Sequence, residues 1–174
     1  MKKLYVIVFM LVALTTVNAQ SNFSVGLVGT RFANTDNDNK LTETDNPFGY
    51  GVILGYAVNE QVTIALTGEY FEEDLESSAG KETDYRTHLS AYYLIENFAG
   101  IYPYLSSGVV YTHRKIDFGS TTKNDDLFNA RLGAGLDYHI ISNVNLNVDF
   151  GFYTDGLDFV GWTSSLGLRY GINL

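Results

Sequence analysis

From Phe23 onward, apolar side chains occupy every second position in long runs. Phe23, Val25 and Leu27 open the pattern, and Leu166, Leu168, Tyr170 and Ile172 close it. A period of two puts successive side chains on opposite faces of a sheet, so the alternation predicts strands. Eight are predicted, over 22–33, 47–58, 61–71, 84–95, 101–113, 127–140, 143–154 and 161–173. Their connections alternate in length. Asn59-Glu60, Glu96 to Gly100 and Ile141 to Asn143 are short, whereas 34–46, 72–83, 114–126 and 155–160 are longer and polar. A strand of about 11 residues tilted near 45° spans roughly 25 Å, the height of a lipid-facing apolar band. The pattern therefore predicts an all-β fold: one eight-stranded, antiparallel, up-and-down transmembrane β-barrel. Its short turns and both termini lie on the periplasmic side, and its long loops lie outside. Pro47 and Pro103 fall near strand starts, where a missing N–H is best tolerated.

The two faces separate cleanly. The outer set runs through Val52, Leu54, Ile64, Leu66, Leu89, Leu105, Val109, Leu132, Leu136, Val148, Phe150, Leu166 and Leu168, and holds no charge. Each Arg or Lys at mid-bilayer would cost about 2–4 kcal/mol, so that absence is informative. The inner set carries glycine, small polar residues and every mid-strand charge: Ser24, Gly26, Thr30, Gly49, Gly51, Thr67, Glu69, Arg86, His88, Ser106, Gly108, Arg131, Gly133, Gly135, Asp137, His139, Asn147, Asp149, Thr163 and Arg169. The opposite assignment, a soluble lipocalin-like ligand barrel, fails on volume. Eight strands enclose little more than their own side chains, and the apolar set of about forty residues would not fit. Aromatic residues gather near strand ends. Tyr50, Tyr70, Tyr85, Tyr111 and Trp162 predict an outer girdle, and Tyr56, Tyr93, Tyr138 and Tyr170 an inner one, since amphipathic rings prefer the headgroup level.

Residues 1–19 stand apart. Lys2 and Lys3 precede an uncharged apolar run from Leu4 to Leu14, and Val17-Asn18-Ala19 offers small side chains at a cleavage site. The run is shorter than the roughly 20 residues a spanning helix needs. The expected organisation is a signal peptide over 1–19 and one barrel domain over 20–174. Losing both lysines takes the formal charge from −9 to about −11. An acidic product excludes nucleic acid as a partner, because phosphate binding needs a basic face. Cysteine is absent, so a closed hydrogen-bond ladder has to supply the stability that disulfides give other exported chains.

The segment Tyr102-Pro103-Tyr104-Leu105-Ser106-Ser107-Gly108-Val109 and the final strand carry a likeness. Both resemble the small eight-stranded outer-membrane barrels of the OmpA-domain and OmpX type. Ser165, Gly167, Tyr170 and Ile172 are similar to that family's barrel-insertion signal, two residues short of the end. The resemblance implies outer-membrane residence after export through the periplasm. It implies contact with outer-membrane lipids and lipopolysaccharide, and passage through the barrel-insertion machinery. It does not imply an OmpA-like tether to the cell wall.

Candidate chemistry lies in the lumen and the loops. Glu69, Arg86, Arg131, Asp137, Asp149 and Arg169 all point inward. Hairpin register is expected to set Glu69 opposite Arg86 and Asn147 opposite Arg169. Glu69, Arg86 and Arg131 would occupy the upper half, and Asp137, Asp149 and Arg169 the lower. Buried charges persist only when paired, so a salt-bridge plug is expected ahead of an ion path. His88, His113 and His139 lie at different depths and lack metal-site spacing, which predicts no metal and no cofactor. His88-Leu89-Ser90 is similar to the short element of outer-membrane lipid A deacylases, but here it faces the lumen without an oriented base or oxyanion site. Asp36-Asn37-Asp38-Asn39-Lys40 resembles the start of a calcium loop, with Lys40 where an oxygen ligand is wanted. Glu72, Glu73, Asp74, Glu76, Glu82 and Asp84 against Lys81 predict a hydrated acidic loop. Such a loop could bridge divalent cations to lipopolysaccharide or meet an extracellular protein partner. The expectation is a non-enzymatic structural or surface-interaction barrel, ahead of a small pore, a lipid A-modifying enzyme and a soluble ligand barrel.

Overall fold

The computed structural model describes residues 22–34, 47–75, 80–95, 98–141 and 143–173. The segments expected to be the signal peptide and the calcium-like Asp36–Lys40 run lie outside the described residues, as does Glu76. Eight strands form one closed barrel: β1 (Asn22–Asn34), β2 (Phe48–Ala57), β3 (Val62–Asp74), β4 (Lys81–Leu94), β5 (Ile101–Asp117), β6 (Thr122–Ile141), β7 (Val144–Asp155) and β8 (Asp158–Asn173). Every neighbouring pair is antiparallel, and β1 closes on β8. Closure removes both sheet edges across the bilayer, which leaves no backbone group unpaired in lipid.

The pairing itself gives the shape. Followed from Phe23 through Tyr56, Ile64, Ala91, Ser107, Leu132, Phe152 and Trp162, it returns to β1 at Ala33, ten residues from its start. That stagger over eight strands corresponds to a tilt of about 40° and a backbone diameter of roughly 16 Å. The interior is therefore narrow. Inward glycines make room where large side chains enter. A Cβ at Gly49 would sit 2.5 Å from the Phe71 ring, and one at Gly135 would clash with the Tyr104 hydroxyl.

The outer face is as the alternation predicts. Leu132 is 62% exposed while its neighbour Arg131 is 5% exposed. The periplasmic turns are short. At the first, Asn59 Oδ1 accepts hydrogen bonds from the backbone N–H of Gln61 (2.9 Å) and Val62 (2.8 Å), which satisfies the turn locally.

Among the described residues, the outward connections differ from the expected long loops. β3 and β4 stay paired to Asp74 and Lys81, and β5 and β6 to Asp117 and Thr122. Only 118–121 remains as a turn, with Gly119 at φ 81°. The polar stretch 114–126 is thus mostly a two-stranded ribbon. Polarity marked these residues as loop, but strands above the membrane need no apolar face. The 155–160 loop likewise shrinks to a tight turn between Asp155 and Asp158, with Gly156 at φ 62°. A bulge precedes the turn at Tyr153/Thr154. Together they set the β7–β8 register. Arg169 lies opposite Asn145 and Asn147 opposite Gly167, in place of the expected Asn147–Arg169 pair.

The rim is uneven. β6 pairs with β7 only from Ala130 inward, so Thr122–Asn129 is joined to β5 alone.

Candidate functional site

The lumen holds two stacked layers of paired charge, each packed against its own apolar cluster. In the outer layer Thr30 Oγ1 donates to Glu69 at 2.5 Å and shares a 2.9 Å hydrogen bond with Ser165. His88 Nε2 lies 2.7 Å from the other Glu69 oxygen. Arg86 is opposite Glu69 in register, as expected, but its closest anion is Asp84, reached from Nη2 at 2.9 Å. Its guanidinium is clamped between the rings of Phe32 (4.5 Å) and Phe71 (4.2 Å). Among the described residues its Nε and Nη1 find no acceptor, and the ring faces take that role. Above it Arg114 Nε sits 3.1 Å from Glu82 and 3.5 Å from Asp84. Phe32, Phe71, Val110, Tyr153 and Val160 form the apolar cluster around this layer.

The inner layer is one continuous chain of contacts across β5 to β8. Arg131 donates to Ser106 at 3.0 Å and pairs with Asp149. Asp149 also accepts from the Tyr104 hydroxyl at 2.9 Å. That hydroxyl in turn accepts from Asn147 Nδ2 at 2.8 Å, and Asn147 donates to Asp137 at 3.1 Å. Asp137 pairs with Arg169. Ile53, Ala65, Tyr92 and Tyr104 pack beside it, with the two tyrosine rings edge to face at 5.2 Å. Arg131 thus ties the expected upper group to the expected lower one through Asp149.

All six expected lumen charges meet a partner inside the barrel. Three further charges join them: Glu82, Asp84 and Arg114. Glu82 and Asp84 belong to the stretch read as a hydrated acidic loop, and they are buried ion-pair partners instead. The signal was present, because 82, 84, 86, 88 and 90 continue one inward alternation. The aromatic filling was also legible by parity, since Phe32 follows Thr30 and Phe71 follows Glu69 on the inward face. His88 and Ser90 lie buried on the lumen side, away from lipid. His139 is at the periplasmic end, its ring 4.8 Å from that of Tyr102, and His113 Nδ1 is 2.7 Å from Asp126 outside. Among the described residues no three potential metal ligands converge.

Of the tyrosines expected in the girdles, Tyr50, Tyr85, Tyr93, Tyr111, Tyr138 and Tyr170 project from the outer wall. Tyr50, Tyr70 and Tyr85 make a ladder across three strands, with centroids 5.6 and 5.3 Å apart, and Tyr111 stands on β5 beside them. Trp162 stacks on Phe150 at 6.5 Å. At the other end Tyr93, Tyr138 and Tyr170 are exposed, while Tyr56 is buried against Phe23, 5.1 Å between rings. Of the insertion-signal positions on β8, Tyr170 and Ile172 face outward and Gly167 is buried on the lumen side. Beyond the outer girdle, hydrogen bonds from Lys81 and Tyr70 hold the Glu72 carboxyl below its ordinary range.

The profile of the family described as "Outer membrane protein beta-barrel domain" matches residues 4–172. A search of curated protein sequences returns no match. Solved structures share the fold. The N-terminal barrel domain of Pseudomonas aeruginosa OprF is 19% identical, with 87% of this chain and 97% of that one covered and a TM-score of 0.61. Neisserial surface protein A is 15% identical over 87% and 97%, with a TM-score of 0.66. Ail, the attachment invasion locus protein of Yersinia pestis, solved with the heparin analogue sucrose octasulfate, is 15% identical over 88% and 100%, with a TM-score of 0.65.

Proposed function

Because this chain belongs to the outer membrane protein beta-barrel domain family and so resides in the outer membrane, we propose that it is a closed, non-enzymatic anchor. Its rigid outer hairpins carry the interaction surface. The filled lumen supports this reading most directly. Two layers of paired charge and aromatic rings stack across a bore whose backbone diameter is only about 16 Å. Water and ions would have to displace those pairs to pass.

The outward ribbons supply the reach. β6 is 20 residues long and β5 is 17, against roughly 11 needed to cross the membrane. The surplus stands outside as paired strand, so the tip at 118–121 is presented on a stiff support. Partners under this proposal are outer-membrane lipids and lipopolysaccharide around the wall, the insertion machinery during assembly, and an extracellular protein at the ribbons. Catalysis is not part of the reading, since His88 and Ser90 face a lumen closed to lipid.

Single-channel recording in planar bilayers tests it. The refolded barrel is expected to give no stable conductance steps, and discrete steps would replace the anchor with a pore. Cells displaying a chain shortened across 116–123 should keep a heat-modifiable barrel but lose any cell–cell adhesion that the full chain confers.

A further inference from the structure

One sheet edge stands open above the girdle. β7 holds β6 only from Ala130 inward, so among the described residues Thr122–Asn129 pairs with β5 alone. Alternate residues of an antiparallel strand turn both N–H and C=O to the same side. The far side of this stretch therefore offers a row of backbone donors and acceptors to a further strand. Its side chains decide which strand fits. Lys123 and Asp125 share the parity of Arg131, with Nζ 2.8 Å from Oδ2, and both reach solvent. Two apolar side chains face water at the tips: Phe118 on the β5–β6 turn is 47% exposed, and Leu157 on the β7–β8 turn is wholly exposed.

This edge is complementary to itself. When identical edges pair antiparallel, one residue sits on the two-fold axis, and its neighbours pair across it. With Asn124 on the axis, Lys123 of each copy faces Asp125 of the other. Moving the axis to Lys123, Asp125 or Asp126 sets that charge against its own copy, which is repulsive. Registers farther inward are blocked by β7. The Asn124 register also carries Phe118 to the level of the other copy's Ala130. There Thr154 ends the β6–β7 pairing, and Leu157 stands on the adjoining turn. The two exposed apolar groups thus come together.

The geometry also fixes where the second copy resides. The two-fold axis is normal to the sheet and so lies in the membrane plane, which turns the membrane normal over. The paired copies therefore sit in facing membranes. Two copies in one membrane would present these edges parallel, with opposite faces aligned. Asn124 stands four residues beyond Phe128, roughly 10 Å along the membrane normal at the strand's rise and tilt. The two bilayers would then lie about 20 Å apart, close enough only for surfaces without long polysaccharide.

We infer that the partner of the β6 edge is a second copy of this chain in a facing membrane, joined strand to strand about Asn124. The inference rests on the reading that the outward hairpins carry the interaction surface, and it names their partner. Each contact is short, so many copies on both membranes supply the avidity.

The test uses the full chain refolded into phospholipid vesicles, with tethering between two dye-labelled populations read by fluorescence cross-correlation. The unsubstituted chain should tether them. Lys123→Asp alone or Asp125→Lys alone should lower tethering at least about tenfold, since each sets like charges opposite twice. Mixing Lys123→Asp vesicles with Asp125→Lys vesicles should restore it, because the two edges are then oppositely charged throughout. Asn124→Cys should form disulfide-linked dimers between the populations. All three positions lie outside the membrane, and a heat-modifiable gel shift will show that the variants fold. Tethering by either charge variant alone, or no rescue on mixing, would overturn the register. Adhesion to surfaces that lack this chain, with none between vesicles that carry it, would overturn the second copy and leave the interaction surface standing. Conductance steps would remove the closed anchor and leave this pairing intact.

Discussion

Arg131→Met is expected to destabilise the folded barrel by about 3–5 kcal/mol, measured by urea unfolding in lipid vesicles. The substitution keeps an unbranched apolar stem and removes the charged guanidinium. Asp149 is then left buried with the Tyr104 hydroxyl as its main donor, and Ser106 loses its Arg131 contact. An uncompensated carboxylate in a narrow, low-dielectric bore is the costly species. Adding Asp149→Asn should recover most of the loss, because an amide oxygen still accepts from Tyr104 and no net charge remains. A single variant within about 1 kcal/mol of the parent would mean that water reaches Asp149 and screens it. The plugged lumen would then have to be abandoned.

One residue farther on, Leu132→Arg should cost about 2–4 kcal/mol by the same measurement. Leu132 projects from the outer wall, where the solvent is hydrocarbon. The cost comes from placing a guanidinium among acyl chains, and it should shrink in shorter-chain lipids that let the side chain snorkel to the interface. Leu132→Ala should cost much less. The two neighbours therefore give opposite rules within one strand: at 131 loss of charge is harmful, and at 132 gain of charge is harmful. A soluble barrel with reversed faces would instead make Arg131→Met nearly neutral, because Arg131 would then face water.

Much of this was legible in the chain. Parity alone assigned Leu132, Val148 and Leu168 outward and Arg131, Asp149 and Arg169 inward, because a strand offers only two faces. The six lumen charges were identifiable because a charge cannot remain on a lipid face. Glu82, Asp84 and Arg114 were harder to see. Beyond the girdle the outward face no longer has to be apolar, so the alternation fades and the residues resemble loop. Their inward parity with Arg86 and Thr112 was the remaining clue. The Arg86 clamp needed more than parity, since Phe71 lies on the adjoining β3 but Phe32 comes from β1, which does not pair with β4.

The order of residues in the chain, with its period of two and its uncharged outer face, determined the barrel, its strand number and its medium. These follow from local geometry and from the cost of charge in hydrocarbon. Which acid meets which base was decided by the closed fold. The ten-residue stagger, the tight Asp155–Asp158 turn and the Tyr153/Thr154 bulge slide each strand along its neighbour. That sliding brings Arg131 to Asp149, Arg169 to Asp137 and Arg86 between two rings. Register is a property of all eight strands together, and no single segment contains it.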